Sequence, residues 1–204
     1  SSDLIDAYDQ YADAVQFMDD TYPFLSTQIL NIGKPSFASD IPTACVSIYE
    51  GKGIVLDINP DFVGQFQTHD YGFILSHETM HVLLSHLSLI EQFDDPKKFN
   101  IAADCIINDF LVSYSIPHSD DLPILHGPDV VGFDCSTADI EDVYDAITDE
   151  KVEELTGADG ESGFDSHNWQ FVDSNGKPLS GDALQKVLGD FLNDAFDSLP
   201  AELK

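Results

Sequence analysis

Apolar residues recur at helical spacing near both ends of the chain and predict an amphipathic helix in each place. The spacing matches one face of a helix with about 3.6 residues per turn. Near the start, the apolar positions are Leu4, Ile5, Tyr8, Tyr11, Ala12, Val15 and Met18. Near the end, they are Leu184, Val187, Leu188, Phe191, Leu192, Ala195 and Leu199.

Two segments in the middle of the chain are apolar on most sides and predict buried helices. The first spans residues 72–90, and the second spans residues 98–112. Between them, Asp95 is expected to cap the second helix, with Pro96 at its first position. A third helix is predicted for residues 138–150, with Ser136 or Thr137 as its cap.

Short apolar runs around glycine-containing turns predict a small amount of β-structure. Residues 44–48 and 54–58 flank the sequence YEGKG, which is typical of a hairpin with glycines at the turn. Residues 169–172 and Leu179 flank DSNGKP, which predicts a second hairpin around Asn175-Gly176. Because helices outnumber strands and the strands pair locally, the predicted fold class is α+β.

The length of 204 residues suits one domain. Residues 1–156 are predicted to form its core, which includes the N-terminal helix and a proline-containing surface loop at residues 117–135. Residues 157–204 are predicted to form a mobile loop, a hairpin and the last helix, all packed on the same domain.

The composition adds a strong negative charge to this picture. Eight basic and 38 acidic side chains give a net charge of −30, while 43% hydrophobic residues suffice for a packed core. The electrostatic field of this negative charge repels phosphate backbones and anionic membranes, so we expect neither nucleic acid nor membrane as a direct partner. A basic protein partner or basic substrates would suit the charge. The scatter of the acids along the whole chain favours a simple role in solubility.

The cysteines and the absence of targeting signals predict a cytoplasmic protein. Cys45, Cys105 and Cys135 are odd in number and form no CxxC pair, which is typical of a reducing compartment. The sequence shows no apolar run of membrane-spanning length and no signal peptide at its start.

The run ILSHETMHVLLSH, inside the first central helix, holds the candidate chemistry. His77 and His81 lie one turn and about 40° apart on a helix, so their imidazoles can bind one zinc ion. Glu78 between them can take a proton from a zinc-activated water, as the H-E-x-x-H pattern requires. The sequence therefore predicts a zinc-dependent hydrolase with Glu78 as general base. The alternative is a pair of core histidines bonded to each other or to a carboxylate.

The third metal ligand is predicted to be Asp104. If the helix continues through Ser85, His86 points about 180° from His77 and serves as a packing residue or an outer partner. Asp104 is a carboxylate on the second buried helix, where a charge must be paired or coordinate a metal. Asn108 lies four residues later on the same face and could hold that carboxylate. Two alternatives stay open, namely His86 as the ligand and a simple Asp104–histidine pair.

These residues, with several flanking segments, resemble the putative metallopeptidase domain that often precedes a von Willebrand A-like domain in bacterial and phage proteins. Its pattern is N-P-x-[FL], then H-E-x-x-H-x-x-x-x-H, then N-I-A-x-D-x-x-x-N, then E-x-x-Y. The matching segments are Asn59-Pro60-Asp61-Phe62, His77 to His86, Asn100 to Asn108 and Glu141-Asp142-Val143-Tyr144. Asp165-Ser166-His167-Asn168-Trp169 resembles a D-x-H-x-x-W element of the family less closely.

The resemblance implies a zincin-like fold, a metal site and a polypeptide substrate. It also brings in Tyr144 and His167 as candidate donors to a transition state, since each lies in a matching segment. The chain departs from the family in two respects. Only a hairpin and a helix are expected after Trp169, where the family often has a von Willebrand A-like domain. The segment after His86 reads SLIEQF and lacks the arginine that is usual there. The predicted function is a zinc-dependent metallopeptidase-like hydrolase. The alternative is an acidic metal-containing protein that captures a basic partner without hydrolysis, although such a protein needs no Glu78.

Overall fold

The computed structural model describes residues 2–157 and 171–201 as a mixed α+β fold. Its helices are α1 (Ser2–Thr21), α2 (Pro23–Ile32), α3 (Pro60–Val63), α4 (Thr68–Leu83), α5 (His86–Leu89), α6 (Pro96–Ser113), α7 (Gly127–Val130), α8 (Ile140–Ala146), α9 (Asp149–Thr156) and α10 (Gly181–Asp197). A 3₁₀ turn covers Ile90–Gln92. The strands are β1 (Ser36–Phe37), β2 (Ala44–Tyr49), β3 (Gly53–Ile58) and β4 (Phe171–Val172).

The strands form one sheet in the order β1-β3-β2-β4. The predicted first hairpin is confirmed: β2 and β3 are antiparallel, with Val46 opposite Leu56, and Gly51 and Gly53 take the positive φ of the turn. The two edge strands are short and parallel to their neighbours, β1 to β3 and β4 to β2. The second predicted turn is also confirmed, since Gly176 has a φ of 75°.

The sheet belongs to a first compact unit, made of residues 2–88 and 171–201. Helix α4 packs on β2, and α2 packs on β3, where strand residues such as Val46, Ile48 and Leu56 are almost fully buried. Helix α1 packs on α2 and α4, and α10 packs on α2. Both predicted terminal helices are therefore present and contribute to this core. Helix α2 was not predicted from the sequence.

The second unit, residues 89–157, is built around α6. Its start is as predicted: the Asp95 side chain accepts the backbone N–H groups of Lys97 and Lys98, and Pro96 occupies the first turn. Helices α7, α8 and α9 all contact α6. The core between them is made of buried apolar residues, among them Ile101, Ala102, Cys105, Ile106, Val143 and Ile147.

Two predicted helices have different bounds in the structure. The helix predicted for residues 72–90 ends at Leu83, because Ser85 takes a left-handed φ of 58° and a new helix starts at His86. The helix predicted for residues 138–150 is two helices, because Ile147 is extended and the Thr148 side chain caps α9. Trp169 and the predicted loop at residues 158–166 lie outside the described residues.

Among the described helices, none combines the length and the apolar character that a membrane crossing requires.

Candidate metal centre

The histidines of the H-E-x-x-H run lie together on α4, as their spacing predicts. His77, Glu78 and His81 are buried, with exposed fractions of 6%, 1% and 0%. One helical turn brings the Nε2 atoms of His77 and His81 to 3.0 Å from each other. Two ring nitrogens at that distance need a proton or a cation between them, because their lone pairs otherwise repel.

His86 lies beside His81, and the prediction that it points away from the motif is wrong. The prediction assumed a continuous helix, whereas the left-handed residue Ser85 turns the chain after α4. The Nδ1 atoms of His86 and His81 are 3.1 Å apart, and His86 is 3% exposed. His81 thus directs one ring nitrogen towards His77 and the other towards His86.

Asp104 completes a buried group with the two motif histidines. One potential ligand atom from each of His77, His81 and Asp104 lies within 4.8 Å of the other two. Ligands about 2.0–2.2 Å from a zinc ion lie about 3.4 Å apart in a tetrahedron, so this group fits a metal ion after small side-chain adjustments. Two imidazole nitrogens and one carboxylate oxygen are a donor set of catalytic zinc sites.

Two residues predicted to support the site have other visible contacts. The Asn108 amide, one turn after Asp104, donates to the backbone oxygen of Leu125 at 3.0 Å. The Tyr144 hydroxyl accepts the backbone N–H of Asp95 at 3.1 Å, and its ring packs on Phe93. Tyr144 therefore helps to hold the start of α6. His167 lies outside the described residues.

Asp109, which was not predicted as a site residue, organises the loop that follows α6. Its carboxylate accepts the backbone N–H of Cys135 at 2.8 Å and that of Gly127 at 3.1 Å. The Nδ1 atom of His126 lies 3.1 Å from the same carboxylate. In the sequence, Asp109 is marked only as the second carboxylate, after Asp104, on a helix that is predicted to be buried.

Gly127 is required at its position by the close approach of this loop. A Cβ atom there would lie 2.5 Å from Asp109 Oδ2 and 2.5 Å from the sulfur of Cys135. Both contacts are far inside van der Waals distance, so no larger residue fits without a shift.

The cysteines of the second unit are unsuited to nucleophilic chemistry. Burial raises the pKa of Cys105 far above its usual range and raises the pKa of Cys135 to about 11. Both thiols therefore stay protonated at neutral pH, when a nucleophile must be a thiolate. The candidate catalytic groups are therefore the buried histidines and carboxylates rather than the thiols.

Comparisons with known proteins identify a family for the chain. Neither the curated proteins nor the solved structures contain a match to the chain. The model of one family, described as "Putative metallopeptidase domain", matches residues 7–180. That match includes His77, Glu78, His81 and Asp104 and covers most of the sequence. The chain therefore belongs to this putative metallopeptidase domain family.

Proposed function

We propose that the protein is a zincin-like, zinc-dependent hydrolase that cleaves peptide bonds. The observation that carries the proposal is the buried His77/His81/Asp104 group, with Glu78 on the same helix as both histidines. A buried carboxylate and imidazoles in such a group are costly unless they are paired or bind a cation. The family to which the chain belongs supports the same conclusion.

The chain's own residues would hold the metal as follows. His77 and His81 would present Nε2, and Asp104 would present a carboxylate oxygen. His86, 3.1 Å from His81 Nδ1, would accept its N–H and so keep the Nε2 lone pair of His81 available. We propose His86 as such an outer partner rather than a ligand. Asn108 would orient the Asp104 carboxylate, as its i+4 position predicts.

Zinc, when bound, supplies Lewis acidity towards a substrate carbonyl and towards water. Glu78 would accept the proton of the attacking water and return it to the leaving amine. The burial of Glu78, which is 1% exposed, favours this role because it keeps bulk water away from the proton transfer. Tyr144 already accepts a hydrogen bond from Asp95 and keeps its own O–H to donate. We retain Tyr144 and His167 as candidate donors to the transition state.

The proposed substrate is a polypeptide in the cytoplasm. The net charge of −30 would increase the rate of encounter with basic segments, and this steering should weaken with salt. The same charge would suit a basic protein partner. It gives no attraction for nucleic acids or anionic membranes.

Metal analysis and a matched pair of variants test the proposal. Protein purified without chelator should contain about one zinc per chain. Glu78→Gln should keep that zinc and cleave denatured casein or a lysine-rich histone about 10²- to 10⁴-fold more slowly than the parent. Glu91→Gln, at an exposed position, is the control and should match the parent.

Each other outcome has a distinct meaning. Absence of any transition metal would contradict the metal centre itself. Equal cleavage by the parent and Glu78→Gln would exclude Glu78 as the base. A zinc-loaded parent that cleaves neither protein but binds the histone would favour the acidic binding protein instead.

A further inference from the structure

A pocket of about 530 Å³ lies in the first unit, between the end of α2 and the edge of the sheet. Its walls combine apolar side chains, such as Ile54 and Val55, with polar groups from Ser36 and Tyr49. None of its lining residues belongs to α4 or α6, so it is separate from the His77/His81/Asp104 group. The size is typical of a ligand site.

Two lysines, Lys34 and Lys52, line the pocket at turns of the backbone. Lys52 lies in the β2–β3 turn, where its backbone N–H donates to Tyr49 at 3.0 Å. Its ammonium group lies 5.5 Å from the centre of the Tyr49 ring, an attractive cation–π contact. Lys34 follows Gly33, whose φ of 101° turns the chain out of α2. The backbone therefore brings both lysines to the lining of this pocket, and the Lys52 ammonium is also held near the Tyr49 ring.

The charge at this pocket is opposite in sign to that of the whole chain. Lys34 and Lys52 are two of only eight basic residues against 38 acidic ones. Within the part of the chain that the structure describes, neither forms an ion pair. The lining has one acid, Asp57, whose carboxylate accepts the Tyr49 hydroxyl at 3.3 Å. The lining therefore has a net charge of +1. Because charges beyond about 8 Å are largely screened at physiological salt, a ligand in contact with the two lysines feels them more strongly than it feels the distant acids.

The edge of β3 beside the pocket has an open side. Strand β1 pairs with β3 only at Asp57 and Ile58. It extends no further because Pro35, just before β1, has no backbone N–H to donate. Among the described residues, Gly53–Leu56 thus pair with β2 on one side and with no strand on the other. An open sheet edge is a template for an added strand.

We propose that this pocket binds an extended acidic peptide segment, which adds a strand along residues 53–56 and places carboxylates against Lys34 and Lys52. Successive side chains of a strand point to opposite faces, so acids at alternate positions can face the lysines together. Main-chain hydrogen bonds to β3 supply affinity, and the two lysines supply selectivity for acids. This proposal does not depend on the metal centre.

The probe is the blocked peptide acetyl-Val-Glu-Val-Glu-Val-amide, compared with the same peptide carrying glutamine in place of glutamate. The acidic peptide should bind about 10-fold more tightly, as expected for two partly exposed charge pairs. Lys34→Glu and Lys52→Glu should each weaken its binding about 5- to 10-fold. Lys177→Glu makes the same charge change beyond β4, at the opposite edge of the sheet, and should leave binding unchanged.

Amide hydrogen exchange and competition identify the mode of binding. The backbone amides of β3 should exchange more slowly when the acidic peptide is bound. Several results would overturn the proposal: no binding at millimolar peptide, equal binding of the glutamine peptide, or an equal loss in Lys177→Glu. Full displacement of the peptide by glutarate at equal concentration, without protection of β3, would instead indicate a site for small carboxylates.

Discussion

The three histidines at the end of α4 and the start of α5 form one buried polar cluster, and the groups around the Asp109 carboxylate form another of opposite design. Asp109 is an acceptor surrounded by donors, two backbone N–H groups and the ring nitrogen of His126. The histidine cluster, formed by His77 and His81 of α4 and His86 of α5, brings like groups together, with ring nitrogens 3.0 and 3.1 Å apart. A cluster whose members already satisfy one another stabilises the fold.

The contrast indicates what each cluster is for. Asp109 connects α6 to backbone groups 18 and 26 residues away, which is a structural task. In the histidine cluster, each short contact needs a proton on one of its two nitrogens, and the same nitrogens are the type of ligand that a zinc ion binds. Removing the acceptor from the first cluster should therefore reduce stability, whereas removing a nitrogen from the second should reduce metal binding.

The largest expected effect is on metal affinity. Asp104→Ala and His81→Ala should each weaken zinc binding by more than about 1,000-fold, or about 4 kcal/mol, because each removes a proposed ligand. His86→Ala should weaken it only about 10- to 100-fold, as an outer partner does. Competition with a coloured chelator ranks the three variants. If His86→Ala lost more zinc than Asp104→Ala, His86 would be the ligand.

Asp109→Ala should be the most damaging change in the other cluster. It leaves two buried N–H groups without an acceptor, at a cost of about 3 kcal/mol of unfolding free energy. Asp109→Asn keeps an acceptor oxygen and should cost less. Urea denaturation measures both, and zinc affinity of the folded Asp109→Asn protein should equal that of the parent. Unchanged stability in Asp109→Ala would contradict the structural role of this carboxylate.

Gly127→Ala should destabilise the same cluster by about 2 kcal/mol through overpacking against Asp109 and Cys135. Gly181→Ala is the matched control, because no atom lies within 4 Å of a Cβ at that position. The difference in melting temperature between the two variants isolates the steric effect. Equal melting temperatures would show that the loop relaxes without cost.

Ser85 offers the smallest and most local test. Because its φ of 58° is costly for any residue with a Cβ, Ser85→Gly should stabilise the protein by at most about 1 kcal/mol. Ser85→Val should destabilise it by more than that, since a β-branched side chain disfavours this conformation further. Thermal unfolding of both variants checks the signs. A more stable valine variant would rule out the left-handed turn and restore the continuous helix.

What could be predicted from the sequence was mostly local. The first hairpin, the Asp95-Pro96 helix start and the pairing of His77 with His81 each depend on residues a few positions apart. Asp104 was found because a carboxylate on an apolar helix needs a partner. Its place beside the two histidines is visible in the structure, while its role as ligand stays a prediction.

The features that were not predicted depend on contacts and backbone conformations that local sequence patterns do not reveal. Val82, Leu83 and Leu84 can all continue a helix, and serine has no preference for the left-handed conformation that ends α4 at Ser85. Asp109 acts on residues 18 and 26 positions later, a separation that no periodicity reveals. The break between α8 and α9 at Ile147 was missed because Thr148 was not recognised as a helix cap.

The three buried cysteines can report local unfolding of the protein through chemical labelling. All three are free thiols buried in the native protein, Cys45 in the first unit and Cys105 and Cys135 in the second. Since a thiol reacts as the exposed thiolate, a thiol-specific reagent at neutral pH should label each one mainly when its surroundings open. Mass spectrometry of the labelled peptides would then time the opening of each unit separately, without any introduced probe.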